Sequence, residues 1–349
     1  MRTTGVRGAT VPCQELPGLD LVRLRAHLDE CSPGLVQGPL TGTMLEGGRS
    51  NLTYIVTDGT GRWVVRRPPL GQVMPTAHDM TREHRVLGAL RGTDVPVPGV
   101  FSLCRDTDVI GAPFYVMEFV EGLPYRAAAE LAALGPERTT GIVNALVDTL
   151  AVLHDVDPET VGLSDFGRPE GFLERQLRRW STQSDASRSR DLPGIEELHD
   201  RLAARIPVSP PPAIVHGDYR LDNVLVGADD EIKAVLDWEM STLGDPLTDL
   251  ALLIAYSECA RSGIDAVPDA GAAPGYPPTD QLIARYARTA NRDLSELGWY
   301  IGFAFWKLAV IAEGIHCRFT RGQTVGPGFD RIGETVEPLL QLGNEILEE

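Results

Sequence analysis

Residues 214–240, IVHGDYRLDNVLVGADDEIKAVLDWEM, set His216, Asp218, Asp222, Asn223 and Asp237 between short apolar runs rich in β-formers. The runs AIV, VLV and KAVL with polar residues between them read as strand, polar turn, strand, turn. If those strands close as a hairpin, the carboxylate of Asp218, the amide oxygen of Asn223 and the carboxylate of Asp237 can converge on one cation. Hard oxygen donors of this kind suit Mg²⁺.

The rest of the chain must build a scaffold for that stretch. At 349 residues it exceeds the usual size of a single core, so two lobes are expected. Hydrophobic residues at 43% and charged residues at 23% place it in the globular class. A net charge of −17 argues against a nucleic-acid partner, whose phosphates need concentrated Lys and Arg, but leaves room for small anions at local basic sites. Cys13, Cys31, Cys104, Cys259 and Cys317 form no close pair, which fits reduced thiols and a cytoplasmic location. No apolar segment of signal-peptide length opens the sequence, and Lys307 and Glu313 interrupt the longest apolar stretch, 299–315, so neither secretion nor membrane spanning is expected.

Residues 1–18 lack periodicity and read as a loose lead-in, followed by an amphipathic helix over DLVRLRAHLDEC that Ser32, Pro33 and Gly34 stop. From Leu40 the period shortens to that of an antiparallel meander. Gly47, Gly48, Arg49, Ser50 and Asn51 form its first turn, where adjacent glycines allow backbone N–H groups to approach a phosphate. Alone, this does not separate a phosphate cradle from an ordinary hairpin loop. Arg66 and Arg67 end the third strand, and alternation turns one of them inward, where Glu83 on a helix over 78–90 could meet it. Two further strands, GVFSLCRD and PFYVMEFVEG, flank turn residues Thr107, Asp108, Gly111, Ala112 and Pro113. The expected division is a β-rich lobe over 19–121 and a helical lobe over 122–349, joined near Phe119 to Pro124.

In the second lobe, helical spacing marks 125–134, 136–154 and 171–183. Arg175, Arg178, Arg179, Arg188 and Arg190 form a basic cluster in an acidic chain, either a solvated face or an anion-steering patch. PVSPPP at 207–212 is a stiff connector, Asp245-Pro246 has the chemistry of a helix start, and residues 262–278 read as a long mobile loop. Two closing helices carry Trp299, Phe303 and Trp306 as core residues. No internal repeat is visible.

Phosphoryl transfer needs positioning and charge neutralisation: a carboxylate at the acceptor hydroxyl, metal ligands, and cations on the phosphates. In His216-Gly217-Asp218 the glycine tightens the turn, the histidine can fix the loop, and Asp218 is left to orient a nucleophile. The same His216 and Asp218 could instead ligate zinc or iron, but the remaining histidines show no ligand-spaced cluster.

HGDYRLDN together with AVLDWEMSTLGDPLTDLA resembles the aminoglycoside phosphotransferase group of kinase-like enzymes, which includes choline and homoserine kinases. The resemblance covers roughly 40–319. It implies an α+β, protein-kinase-like two-lobed fold, with a small antiparallel β-sheet N-lobe, a mostly helical C-lobe, ATP at the hinge and a hydroxyl acceptor in the C-lobe cleft. By the same resemblance Asp218 is the catalytic aspartate beside His216, Asn223 and Asp237 hold Mg²⁺, Gly47 to Asn51 cover the phosphates, and the hinge lies near Glu118 to Val120. Glu83 matches the helix glutamate that pairs with a strand-three cation. Arg66 stands where lysine is common, and Arg220 where many kinases place a lysine on the transferred phosphate. The nearest subgroup is similar to the kinase-like domain fused to certain acyl-CoA dehydrogenases, suggested by RRPPLGQVMPTAHDMTREHRVLGAL and LDWEMSTLGDP. That likeness implies a hydroxylated acyl-CoA as acceptor, with the 175–190 arginines on CoA phosphates, and ranks aminoglycosides lower. A nucleotide-binding pseudokinase is the alternative of a different class. Oligomeric state is not specified.

Overall fold

The computed structural model describes residues 16–45, 51–71, 79–265, 267–290, 292–323 and 329–348. The chain divides into two compact units, 1–88 with 98–119, and 89–97 with 120–349.

The first unit opens with helix α1 (Leu21–Cys31), where Asp20 caps the N-terminus by accepting hydrogen bonds from the amides of Val22 and Arg23. A five-stranded antiparallel sheet follows, β1 (Thr41–Met44), β2 (Leu52–Thr57), β3 (Arg62–Arg67), β4 (Val100–Cys104) and β5 (Phe114–Glu118), in spatial order β1-β2-β3-β5-β4. Asp58 closes the β2–β3 hairpin by accepting from the amides of Thr60 and Gly61, while Gly59 takes the positive φ of 93° that the turn requires. Alternating residues Tyr54, Val56, Trp63, Val65, Phe114 and Val116 form a core on which Leu24 and Leu28 of α1 pack.

Helix α2 (Met80–Leu90) lies between β3 and β4 in the chain. The 107–113 segment, expected as a turn, holds a one-turn helix, α3 (Thr107–Ile110), capped by Asp106 and ended by Gly111 at φ 85°. Both arginines at the end of β3 are buried, where alternation predicted one. Arg67 is accommodated because the carbonyls of Gly18 and Ile110 accept from its Nη1 at 2.5 and 2.8 Å. Gly47, Gly48, Arg49 and Ser50 lie outside the described residues, as does most of the expected lead-in.

The second unit contains α4 (Ala128–Ala132), α5 (Pro136–Asp155), α6 (Phe172–Ser187), α7 (Pro193–Ala204), strands β6 (Ala213–Val215), β7 (Val224–Val226), β8 (Ile232–Val235) and β9 (Thr242–Gly244), then α8 (Leu247–Arg261), α9 (Thr279–Thr289), α10 (Leu297–Thr320) and α11 (Val336–Ile346). Residues 89–97 belong here, tied in by the Val235 amide on the Pro96 carbonyl at 2.8 Å. Helix α7 was not anticipated, although Pro193 stands in its first turn and Ile195, Leu198 and Leu202 repeat at helical spacing; all three are buried. Trp299 and Trp306 of α10 pin it by donating their indole N–H to the carbonyls of Leu202 and Ile195, both at 3.0 Å. Among the described residues no helix is long and apolar enough to cross a membrane.

The 262–278 stretch departs from the mobile loop expected. It folds through a 3-10 turn, Asp269–Ala272, with Ala270, Gly271 and Ala273 buried, and Asp269 accepts the Ala128 amide at 2.9 Å. A Cβ on Gly271 would come within 2.7 Å of the Ser257 Cα and 3.0 Å of its carbonyl oxygen, so α8 and this turn touch backbone to backbone. Gly271→Ala is expected to destabilise the protein by about 1–3 kcal/mol through overpacking, read as a lower urea midpoint at an unchanged m-value; an unchanged midpoint would mean that the turn is loosely held.

Candidate active site

The β7–β8 hairpin builds one half of the second unit's site. Val224 pairs with Val235, and the Leu236 amide donates to the Asn223 carbonyl at 2.8 Å, so Asn223 and Asp237 leave the hairpin side by side. The preceding strand β6 pairs not with this hairpin but with β9, which the sequence reading omitted. Asp237 adopts left-handed backbone angles, φ 63° and ψ 59°. For a non-glycine residue this conformation costs about 1 kcal/mol or more, and the buried Trp238 holds it by donating its indole N–H to the Val235 carbonyl at 3.0 Å.

Asp218 is bonded on both oxygens. Its Oδ1 accepts the Tyr256 hydroxyl at 2.6 Å and its Oδ2 accepts the Asn223 Nδ2 at 3.0 Å, while the same Nδ2 reaches the Asp218 carbonyl at 2.8 Å. With its amide nitrogen committed twice, the buried Asn223 has Oδ1 as the atom available to a hard cation. Burial, reinforced by the Asp218 charge, pushes the Tyr256 phenol well above its usual range, so Tyr256 stays a donor. Arg220 holds its Nε 3.1 Å from Asp222 Oδ1 and 3.5 Å from Asp218 Oδ2, with its guanidinium 5.1 Å from the Tyr256 ring centre.

His216 is fully buried, and both ring nitrogens are in use. Its Nε2–H donates to the Leu236 carbonyl at 2.8 Å, and Nδ1 accepts the Asp218 amide at 3.3 Å. Beneath it the buried Asp249 of α8 accepts the His216 amide at 2.6 Å and the Gly217 amide at 2.8 Å. His154 on α5 approaches Asp249 through Nε2 at 3.4 Å, and its Nδ1 accepts the Tyr286 hydroxyl at 2.7 Å. Burial pushes the His154 imidazole below its ordinary value, against the opposing pull of Asp249. The amides and His154 hold the Asp249 carboxylate ionised despite burial.

In the first unit, Glu83 is the centre of a separate buried cluster. Its Oε1 accepts Asn51 Nδ2 at 3.2 Å, its Oε2 accepts the Tyr115 hydroxyl at 3.0 Å, and the Arg66 Nε lies 3.2 Å from that same oxygen. Glu118, at the end of β5, accepts the Gly99 amide, and the chain passes into the second unit at Val120. Asp249, Tyr256 and Tyr115 were missed by the sequence reading. Asp249 and Tyr256 are seven apart and bracket the apolar run 250–255 of α8, a spacing that turns both to one face and could have marked them.

The basic cluster expected at 175–190 is largely consumed within the fold. Arg190 donates to Glu313 at 2.9 Å and to the Gly333 carbonyl, Arg188 pairs with Glu196, and Arg175 donates to the carbonyls of Arg168 and Glu170. Those three arginines are therefore not a patch free to take CoA phosphates. Cys31, Cys104, Cys259 and Cys317 are free thiols. Among the described residues no set of three or more His, Cys, Asp or Glu side chains could hold a metal, which leaves the zinc or iron reading without a ligand set.

A five-stranded antiparallel sheet in one unit and a helical unit carrying HGDYRLDN and its hairpin together define a protein-kinase-like phosphotransferase. The chain belongs to the phosphotransferase enzyme family, whose sequence profile matches residues 41–288. Acyl-CoA dehydrogenase family member 11 of Gallus gallus is 33% identical over 334 residues, covering 93% of this chain and 43% of that protein. The chain thus spans less than half the length of that relative. A crystal structure from Ralstonia eutropha, provisionally named an aminoglycoside phosphotransferase, superposes with a TM-score of 0.82 at 31% identity over 94% of this chain and 98% of that one. A thermostable aminoglycoside phosphotransferase mutant bound to AMP-PNP and hygromycin B shares the fold, with a TM-score of 0.58 at 14% identity over 93% and 97% of the two chains.

The neutral His154 carries a stability consequence. Its folded pKa lies below the unfolded value of about 6.5, so below that pH the unfolded chain binds the extra proton and stability falls. The charged groups facing it are Asp249, Asp245 and Arg292. Urea unfolding between pH 7.5 and 5.5 should show this loss, and His154→Gln, which takes up no proton, should show a smaller one; equal slopes would mean that His154 titrates normally in the fold.

Proposed function

We propose that this chain is an ATP- and Mg²⁺-dependent O-phosphotransferase that moves the γ-phosphoryl group to a hydroxyl of a small molecule. The observation that carries the reading is the Asp218 carboxylate, bonded by Tyr256 and Asn223, beside a hairpin that delivers Asn223 and Asp237 together. Asp218 orients the acceptor hydroxyl and takes its proton as the oxygen bonds to the γ-phosphorus and the bond from that phosphorus to the β,γ-bridging oxygen breaks, releasing ADP. Tyr256 aims the carboxylate, and His216 with Asp249 fixes the peptide that bears it, so His216 acts as a positioning residue rather than one that touches substrate. Arg220 supplies positive charge beside Asp218 where negative charge shifts during transfer.

Asn223 Oδ1 and the Asp237 carboxylate would hold Mg²⁺, two protein oxygens being the usual complement for an ion that keeps waters and phosphate oxygens as its other ligands. When bound, Mg²⁺ supplies neutralisation of phosphate charge. In the first unit, Arg66 would contact the nucleotide phosphates while Glu83 steers it, a role its planar guanidinium can fill with geometry different from a lysine's. Gly47 to Asn51 would cover the phosphates, and Glu118 to Val120 would meet the base.

For the acceptor, a hydroxylated acyl-CoA is our reading of the acyl-CoA dehydrogenase names of the sequence relatives, while the Ralstonia eutropha structure at 31% identity carries an aminoglycoside phosphotransferase name. The 175–190 arginines lend this no support, since most of them are paired within the protein.

Asp218→Asn should lower phosphoryl transfer, followed as ADP release across a panel of hydroxylated acceptors, by about 10²- to 10⁴-fold while Mg-ATP binding persists. Undiminished transfer would exclude Asp218 as the base. Tyr256→Phe removes one hydrogen bond to a charged group, worth about 1.5–3 kcal/mol. It should reduce kcat about tenfold or more, and an unchanged kcat would mean that Asp218 is aimed without it.

A further inference from the structure

Lys307 lies midway along α10 in an acidic chain, half-buried, yet no carboxylate pairs with it among the described residues. Its ammonium stands 5.4 Å from the centre of the Trp180 ring midway along α6, and the Arg179 guanidinium stands 5.8 Å from the same ring. The Trp180 indole N–H is itself buried and has no hydrogen-bond partner. Two cations and an orphaned donor thus share one corner between α6 and α10, in a protein with 49 acidic side chains available to satisfy them. Elsewhere the fold commits such groups: Arg190 takes the buried Glu313, and Trp299 and Trp306 donate to carbonyls. A buried donor without a partner costs about 1–3 kcal/mol, and a cation–π contact does not replace an anion.

Helix α10, which carries Lys307, packs against α8, the helix that bears Asp249 and Tyr256. Burial holds the Lys307 ammonium below its ordinary range, with the Asp218 and Asp249 charges pulling the other way. We propose that Lys307 and the Trp180 indole N–H, with Arg179 at the rim, form a subsite for a compact oxyanion, carboxylate or phosphate, carried by the acceptor molecule. The substrate class is therefore a hydroxylated anion. A polycation would meet two like charges here, and a neutral sugar would leave the ammonium unpaired. The placement of the anion on the acceptor rests on the phosphotransferase reading; the anion preference itself does not.

The test uses the full chain without nucleotide, titrated by calorimetry with 4-hydroxybutyrate, its uncharged amide 4-hydroxybutyramide, glycerol 3-phosphate, glycerol and kanamycin. At least one of the two anions should bind about tenfold or more tightly than its neutral counterpart, and which one does so tells carboxylate from phosphate. Lys307→Met should abolish the preference, Lys307→Arg should retain it, and Trp180→Phe, which deletes only the N–H donor, should weaken the anion severalfold. No measurable binding of either anion, equal affinity for anion and neutral partner, an undiminished preference in Lys307→Met, or tighter binding of kanamycin overturns the proposal. Parallel Mg-ATP titrations separate the two readings. Intact nucleotide binding in Lys307→Met assigns its defect to the subsite, whereas a wild-type chain that prefers anions but binds no Mg-ATP sinks the phosphotransferase reading alone.

Discussion

The buried carboxylate of Asp249 is the contact on which the 216–218 loop of the second unit depends. It is taken out of water and held charged by the amides of His216 and Gly217, with His154 alongside. A buried carboxylate is tolerable only when its lone pairs are filled. That requirement sets where the loop backbone must run, because both amides have to point at α8. Gly217 makes this possible at φ 86°, with a Cβ position only 2.7 Å from the Met240 carbonyl oxygen, a conformation and a clearance that other residues would not accept. His216 then locks the loop to the hairpin through Leu236, and Asp218 is delivered to Tyr256, which belongs to the same helix as Asp249. One helix therefore both anchors the loop and aims its carboxylate.

The first unit solves a parallel problem with different chemistry. Arg66 and Glu83 are both buried, and Glu83 accepts additional bonds from Asn51 and Tyr115, so its charge is spread over several donors. Breaking such a pair from one side leaves an uncompensated buried charge, costing about 3–5 kcal/mol. An arginine here suits a shared arrangement better than a lysine, because its planar fork can address the glutamate and still present N–H groups elsewhere.

Much of this was legible from residue order. The polar residues of 214–240 and the apolar runs around them mark strand, loop and hairpin, and the meander of the first three strands follows from its period of two, whereas the pairing of β3 with β5 rather than β4 does not. Other features were not. Helix α7 carried its signal in Ile195, Leu198 and Leu202 but was masked by the polar residues around them. The 262–278 segment has the Gly, Ala and Pro content of a mobile loop, yet small side chains also permit close packing, and Gly271 against Ser257 uses them in that way. The arginines at 175–190 read as one basic face, whereas their partners come from 168–170, 196, 313 and 333, distances along the chain that no local pattern encodes.

By itself, then, the order of residues determined which chemistry is available: a carboxylate, an amide and a second carboxylate at spacings a hairpin can bring together, and a fold class of β-rich and helical parts. Tertiary structure alone decided how those groups are employed. Asp249 and Tyr256 lie 31 and 38 residues beyond Asp218, and they reach the His216 and Gly217 amides and the Asp218 carboxylate respectively only because α8 packs beneath the loop. Lys307 is left without a carboxylate only because α10 and α6 bring it to Trp180 instead. Hydrogen bonds and charge pairing act over a few ångströms of space, not along the chain, and so burial and partner choice become fixed only once the helices have packed.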